Sequence, residues 1–182
     1  MHAIRRIGVF GLLLAATAVA GDSVPGREFT ATLEYRGPQG TRRIGASIFV
    51  DRFTPIEEAR KLRAVLEDYG QGGLVAALRG RGNGRLRLGA LDYNLDLVVT
   101  KPTDDGFRVI VVTTRMLRVE ETETASESLD FPFGVIALDL DHSGRGSGAF
   151  HPRAALWITE DGAVAIEGWE GEGRVLEVKK VR

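Results

Sequence analysis

The chain has 182 residues, 24 basic and 25 acidic side chains, and no cysteine. This balance gives no general attraction to nucleic acid or to an anionic membrane. The absent cysteines exclude disulfides, thiol chemistry and cysteine-linked lipid, so a single hydrophobic core has to carry the fold.

Residues 1–20 read as a secretory signal peptide. Arg5 and Arg6 form a basic start, Ile7 to Val19 is apolar apart from Gly8, Gly11 and Thr17, and Ala18-Val19-Ala20 is a small-x-small site. Cleavage is expected between Ala20 and Gly21. The apolar run is short of the roughly 20 residues that span a bilayer. No second such run follows, so no membrane span is expected after cleavage. Loss of the two arginines takes the formal charge from −1 to −3. Residues 21–182 are expected to form one domain, in the periplasm or outside the cell.

Phe29, Ala31, Leu33 and Tyr35 alternate with polar residues, as do Ile44, Ala46, Ile48 and Val50. With Gly37-Pro38-Gln39-Gly40 between them, these segments predict a β-hairpin. The period then changes. Thr54 suits an N-cap, Pro55 the first helical position, and Glu57 completes a capping box. Ile56, Ala59, Leu62, Val65, Leu66 and Tyr69 recur at helical spacing. Gly70 would end this helix, Gln71-Gly72-Gly73 would turn, and Leu74 to Leu78 would form a second, shorter one. A helical hairpin over 54–79 is thus expected as an insert after the second strand.

Beyond the glycine-rich joint at Gly80–Gly84 the chain returns to alternation. Arg85 to Leu88 predicts a short strand. Leu91, Tyr93, Leu95, Leu97 and Val99 predict one face of the next, with Asp92, Asn94 and Asp96 opposite. Phe107 to Met116 is apolar on both faces, which predicts a central strand covered on both sides. Glu120 to Ser128 reads as an acidic loop. Ile136, Leu138 and Leu140 resume alternation, Glu160-Asp161-Gly162 predicts a tight hairpin, and Arg174–Val181 is the last strand. About ten short strands predict a mainly β fold, an antiparallel barrel or sandwich with the helical insert.

No stretch assembles a catalytic motif. Asp139-Leu140-Asp141-His142-Ser143-Gly144 resembles the start of a calcium loop, but Phe150 stands where the twelfth-position glutamate belongs. After signal cleavage only His142 and His151 remain, without zinc-ligand spacing. Ser147 and Ser47 both lack the glycines of a nucleophile elbow. Trp157 and Trp169 are expected to pack beneath the helices. Arg79, Arg81, Arg85 and Arg87 form the one local basic cluster. Arg85 and Arg87 share a strand face and could grip an anion, although arginines on an edge strand also discourage edge-to-edge pairing.

The chain resembles a group of uncharacterised small exported bacterial proteins, common in Acidobacteria-like genomes. The resemblance is carried by Gly70-Gln71-Gly72-Gly73-Leu74, Gly84-Arg85-Leu86-Arg87, Leu91 with Tyr93 and Leu95, and Asp105-Gly106 to Thr114-Arg115. Asp130-Phe131-Pro132-Phe133 and the Gly144-x-Gly146-x-Gly148 turn complete it. It implies export and a shared architecture, and no activity. The favoured reading is therefore a non-enzymatic binding or envelope-associated module that needs no cofactor. Its ligand would be small and apolar or anionic, with Arg85 and Arg87 as candidate contacts, and nucleic acid is not expected. The alternative is a carboxylate- or metal-dependent hydrolase built from Asp139, Asp141, His142 and the acidic loop.

Overall fold

The computed structural model describes residues 27–37, 40–119, 130–169 and 172–181. The signal peptide with its Ala20–Gly21 cleavage site, the Pro38-Gln39 turn tip and the Glu120–Ser128 loop lie outside the described residues. The elements are β1 (Glu28–Gly37), β2 (Gly40–Val50), α1 (Ile56–Leu78), β3 (Gly84–Leu88), β4 (Leu91–Leu95), β5 (Leu97–Thr103) and β6 (Gly106–Thr113). They continue with β7 (Phe133–Asp141), β8 (Arg145–Ile158), β9 (Val164–Gly168) and β10 (Glu172–Lys180). All strands join one antiparallel sheet in the order β4-β3-β2-β1-β10-β8-β7-β6-β5, with β9 added to β8. One sheet curled into a half-barrel, rather than two stacked sheets, carries the fold.

Glycines make the curl. On β8, Gly148 stands between Leu138 of β7 and Val175 of β10, and Gly146 between Leu140 and Val178. A Cβ at either position would overlap a backbone carbonyl, that of Ala137 or Asp139. Removing the side chain at two alternate positions lets the neighbouring strand close in and the sheet bend there. Beyond this bend β8 changes partner on the same edge. It leaves β10 at Ala149↔Arg174 and takes up β9 at Ala154↔Gly168.

The two ends of the sheet, β4 and β5, are consecutive in the chain and separated by Asp96 alone. Residues up to Leu95 pair with β3, and residues from Leu97 pair with β6. The expected unbroken alternation from Leu91 to Val99 is corrected here. Leu95 and Val98 enter one apolar cluster, while Leu97 and Val99 lie against the other, so the phase flips at the corner. Asp96 is buried, not outward-facing.

Two cores result, on opposite faces of the sheet. The concave face is filled by Phe29, Leu33, Ile48, Leu86, Phe150 and their neighbours. The convex face of β6 to β9 packs Ile110, Val112, Val135 and Leu156 against Leu62, Leu66, Leu74 and Leu78 of α1. In β6, Val109 and Val111 point to the first core and Ile110 and Val112 to the second. The central strand covered on both sides is thus present. The helix is a buttress on the outer surface and does not contribute to the concave core.

The helical segment breaks at Gly70, whose φ of 64° and ψ of −163° are non-helical, so the first helix ends at the expected residue and a second helical stretch continues to Leu78. Residues 71–73 are helical and make no turn. Ile56 and Tyr69 do not belong to the buried stripe, since they are 40% and 73% exposed. The capping box is also absent. Pro55 occupies the N-cap without a side-chain hydrogen bond, and Glu57 accepts from Arg60 at 2.6 Å. The Thr54 hydroxyl instead accepts from Asn83 Nδ2 at 2.6 Å and from the Val98 N–H at 3.3 Å. Glu58 ties the same junction together by accepting from Arg52 and Arg81. Burial against β5 and the β3 approach outcompetes the local cap.

Candidate functional site: an arginine-bearing outer face

α1 packs on the convex cluster of β5 to β9, which among the described residues leaves the outward side chains of β4, β3, β2, β1 and β10 uncovered. Period-two alternation puts Thr30, Thr32, Glu34 and Arg36 of β1 on that side. Opposite them on β2 stand Ser47, Gly45, Arg43 and Thr41. On β10 the partners of Thr30, Thr32 and Glu34 are Lys179, Glu177 and Arg174.

The most organised group on this face is centred on Glu34. Its side chain is only 5% exposed, yet it lies on the polar side of the sheet. Arg43 Nε donates to its Oε2 at 3.1 Å, Arg174 NH2 stands 3.4 Å from Oε1, and Arg36 NH2 stands 3.5 Å from Oε1. The three arginines themselves are 49–69% exposed. The hydrogen bond from Arg43 holds the Glu34 carboxyl below the ordinary carboxylate range. The charges of Arg43, Arg174 and Arg36 add to this, against the opposing cost of burial. One buried negative charge thus gathers three positive ones, and the group keeps a net positive charge of two. Each guanidinium has five N–H donors in a fixed fork, and a single carboxylate cannot occupy them all.

Arg85 and Arg87 lie on the same outer face, both exposed, opposite Phe49 and Ser47 of β2. The edge-protection explanation for them is corrected, because β4 lies beyond β3 and β3 is an interior strand. Arg87 donates to both carboxylate oxygens of Asp92 on β4, at 3.0 and 3.4 Å. This pair lowers the Asp92 carboxyl and raises the Arg87 guanidinium relative to their ordinary values. Arg85 is placed over the Phe49 ring at 5.9 Å, a cation–π geometry. Of the sequence cluster, then, Arg85 and Arg87 stay together. Arg81 turns away to the Ala77 carbonyl and Glu58.

Sequence reasoning missed Glu34, Arg36, Arg43 and Arg174. The first three were within reach. A hairpin closing at Gly37↔Gly40 sets Glu34 opposite Arg43, with Arg36 two residues on along the same face. Arg174 needs the pairing of the first strand with the last, which no local pattern specifies.

Of the hydrolase candidates, Asp139, Asp141 and His142 are described and each has a local partner, whereas the acidic loop lies outside the described residues. Arg108 Nε donates to Asp139 at 2.6 Å. Asp141 Oδ1 accepts from the Ser143 N–H, the Ser143 hydroxyl and the Arg145 N–H, which lowers its carboxyl. It is a turn-forming residue. His142 packs edge-on against Phe107. Among the described residues no group of three metal-ligating side chains occurs. Trp157 and Trp169 are not beneath the helix. They are 42% and 40% exposed, and Trp169 packs on Phe131 at 4.8 Å. Comparison with family models, with curated proteins and with solved structures finds no match to this chain.

Proposed function

We propose that the chain is an exported, non-enzymatic binding module that takes an anionic ligand on the outer face of its sheet. One observation carries the reading: three half-exposed arginines converge on the buried Glu34 carboxylate. Guanidinium groups repel one another, and ordering three long side chains costs rotamer entropy. Glu34 offsets both, so the cluster is organised before a ligand arrives. The outward donors suit the paired oxygens of a sulfate, phosphate or carboxylate. The concave core is occupied by large side chains such as Phe29 and Phe150, so the anionic member of the expected ligand pair is preferred to the apolar one. Export rests on Arg5, Arg6, the apolar run Ile7 to Val19 and the Ala18-Val19-Ala20 site. Among the described residues no helix is long and apolar enough to cross a membrane.

The test is an amide NMR titration of the protein with sodium sulfate, against sodium chloride of equal ionic strength. Sulfate should shift the amides of Glu34, Arg43 and Arg174, and Arg43→Ala should remove the effect. Equal responses to the two salts would refute the reading.

A further inference from the structure

We infer that the anionic ligand is a linear polysaccharide lying along β2, held by charge at both ends of one open track. This deepens the anion-binding reading and depends on it. One station is the Glu34 group, reached from β2 through Arg43. The other is Arg85 with Arg87, which stand beside Phe49 and Ser47, six and four residues further along β2. At about 3.3 Å per strand residue the stations are about 13–20 Å apart. One inorganic anion cannot reach both, whereas a chain can.

The floor between the stations fits a sugar chain. It is formed by Gly45, Ser47, Thr30 and Thr32, which are paired across β1 and β2. Gly45 is exposed, and a Cβ added there meets nothing within 4 Å. The surface is therefore low at its centre and lined with hydroxyls, which both donate and accept hydrogen bonds. No acid stands on this floor. Glu177 lies beside Thr32 on the β10 side, Glu28 lies beside Phe49 on the β1 side, and Asp92 lies beyond Arg87, so the route along β2 between the stations runs between flanking acids rather than over one. At the far station Arg87 is closed by Asp92, while Arg85 has no hydrogen-bonded carboxylate among the described residues. Single-stranded nucleic acid needs exposed aromatic rings for base stacking. The ring on this track, Phe49, lies under Arg85.

Calorimetry with heparin-derived oligosaccharides, disaccharide to decasaccharide, tests the inference at fixed ionic strength. Inorganic sulfate serves as the single-station probe, and poly-glutamate and oligo-dT of matched charge as competing chains. Affinity should rise at least about tenfold once the oligosaccharide spans both stations. Gly45→Gln, which fills the open space at the low centre without adding a charge beside Arg43, should abolish that rise. Arg85→Ala should reduce the rise without altering the fold. Sulfate binding with no gain over oligosaccharide length would overturn the polysaccharide inference and spare the anion reading. Equal or tighter binding of poly-glutamate or oligo-dT would also overturn it. Failure of sulfate itself to bind would remove both.

Discussion

Asp96 Oδ2 accepts two hydrogen bonds from one residue, the N–H and the hydroxyl of Thr114, each at 2.8 Å. Asp96 is the single residue between the two end strands, and Thr114 follows directly on β6. The Asp96 N–H donates to the Val112 carbonyl at 3.0 Å. The corner of the half-barrel is thus locked by a buried side chain. Asp96→Ala should cost about 1–3 kcal/mol, because the half-buried Thr114 N–H and hydroxyl lose their carboxylate acceptor. Asp96→Asn retains one acceptor oxygen and should cost about half as much. Urea denaturation of both variants would measure this, and equal losses would show that the acceptor is not what matters.

The placement of α1 makes a second prediction. Leu62 is 4% exposed and belongs to the convex core, whereas Tyr69 is 73% exposed. Leu62→Ala should lower stability by about 2–4 kcal/mol, and Leu62→Asp should prevent stable folding. Tyr69→Ala should stay within about 0.5 kcal/mol of wild type. The helix pattern alone ranks the two residues together, so the difference tests the packing directly. If Leu62→Asp melts like wild type, α1 is not a buttress.

Much of the fold was legible because side-chain period and turn chemistry are local. The β1–β2 hairpin, the doubly covered β6 and the Asp161-Gly162 hairpin follow from those rules. The failures share a different cause. Thr54 is a good N-cap by local rules, but Asn83 and Val98 claim its hydroxyl. Asp96 looks like a solvent-facing strand residue, but it is the point where the chain changes partner and face. In the candidate site the same division holds. Arg85 and Arg87 were visible as a local pair, whereas Arg174 reaches Glu34 only through the pairing of distant strands.

Glu34 predicts a feature of acid unfolding. Its folded-state carboxyl lies below the ordinary 4.5, so the folded protein binds this proton less readily than the unfolded chain. Its stabilisation is therefore complete above pH 4.5 and is lost as pH falls through the lower folded value. Glu34→Gln should flatten the acid limb of a melting-temperature profile at low salt, chiefly below pH 4.5. The same variant leaves three guanidinium groups without their shared counter-charge, so it should also be less stable at neutral pH. A profile parallel to wild type throughout would mean that the arginines do not depend on Glu34.

His151 makes the last prediction, and it has the opposite structural origin. It lies on β8 between the departure of β10 and the arrival of β9. Its Nε2 is buried without a hydrogen-bond partner. Gly168 lies against the other side of the ring, where an added Cβ would stand 2.8 Å from Nδ1. Desolvation pushes the imidazole below its ordinary 6.5. The folded state therefore holds His151 neutral while the unfolded chain takes up a proton. This contribution to stability is complete above pH 6.5 and declines as pH falls below it, levelling out under the folded value. His151→Leu removes both the unpartnered nitrogen and the titration. Above pH 7.5 the variant should lie within about 1 kcal/mol of wild type, since an apolar group of similar size replaces an unsatisfied polar one. Towards pH 5 it should become progressively the more stable of the two. Denaturation curves across this range decide the matter, and a constant difference between the proteins would show that His151 is already solvated in the folded state.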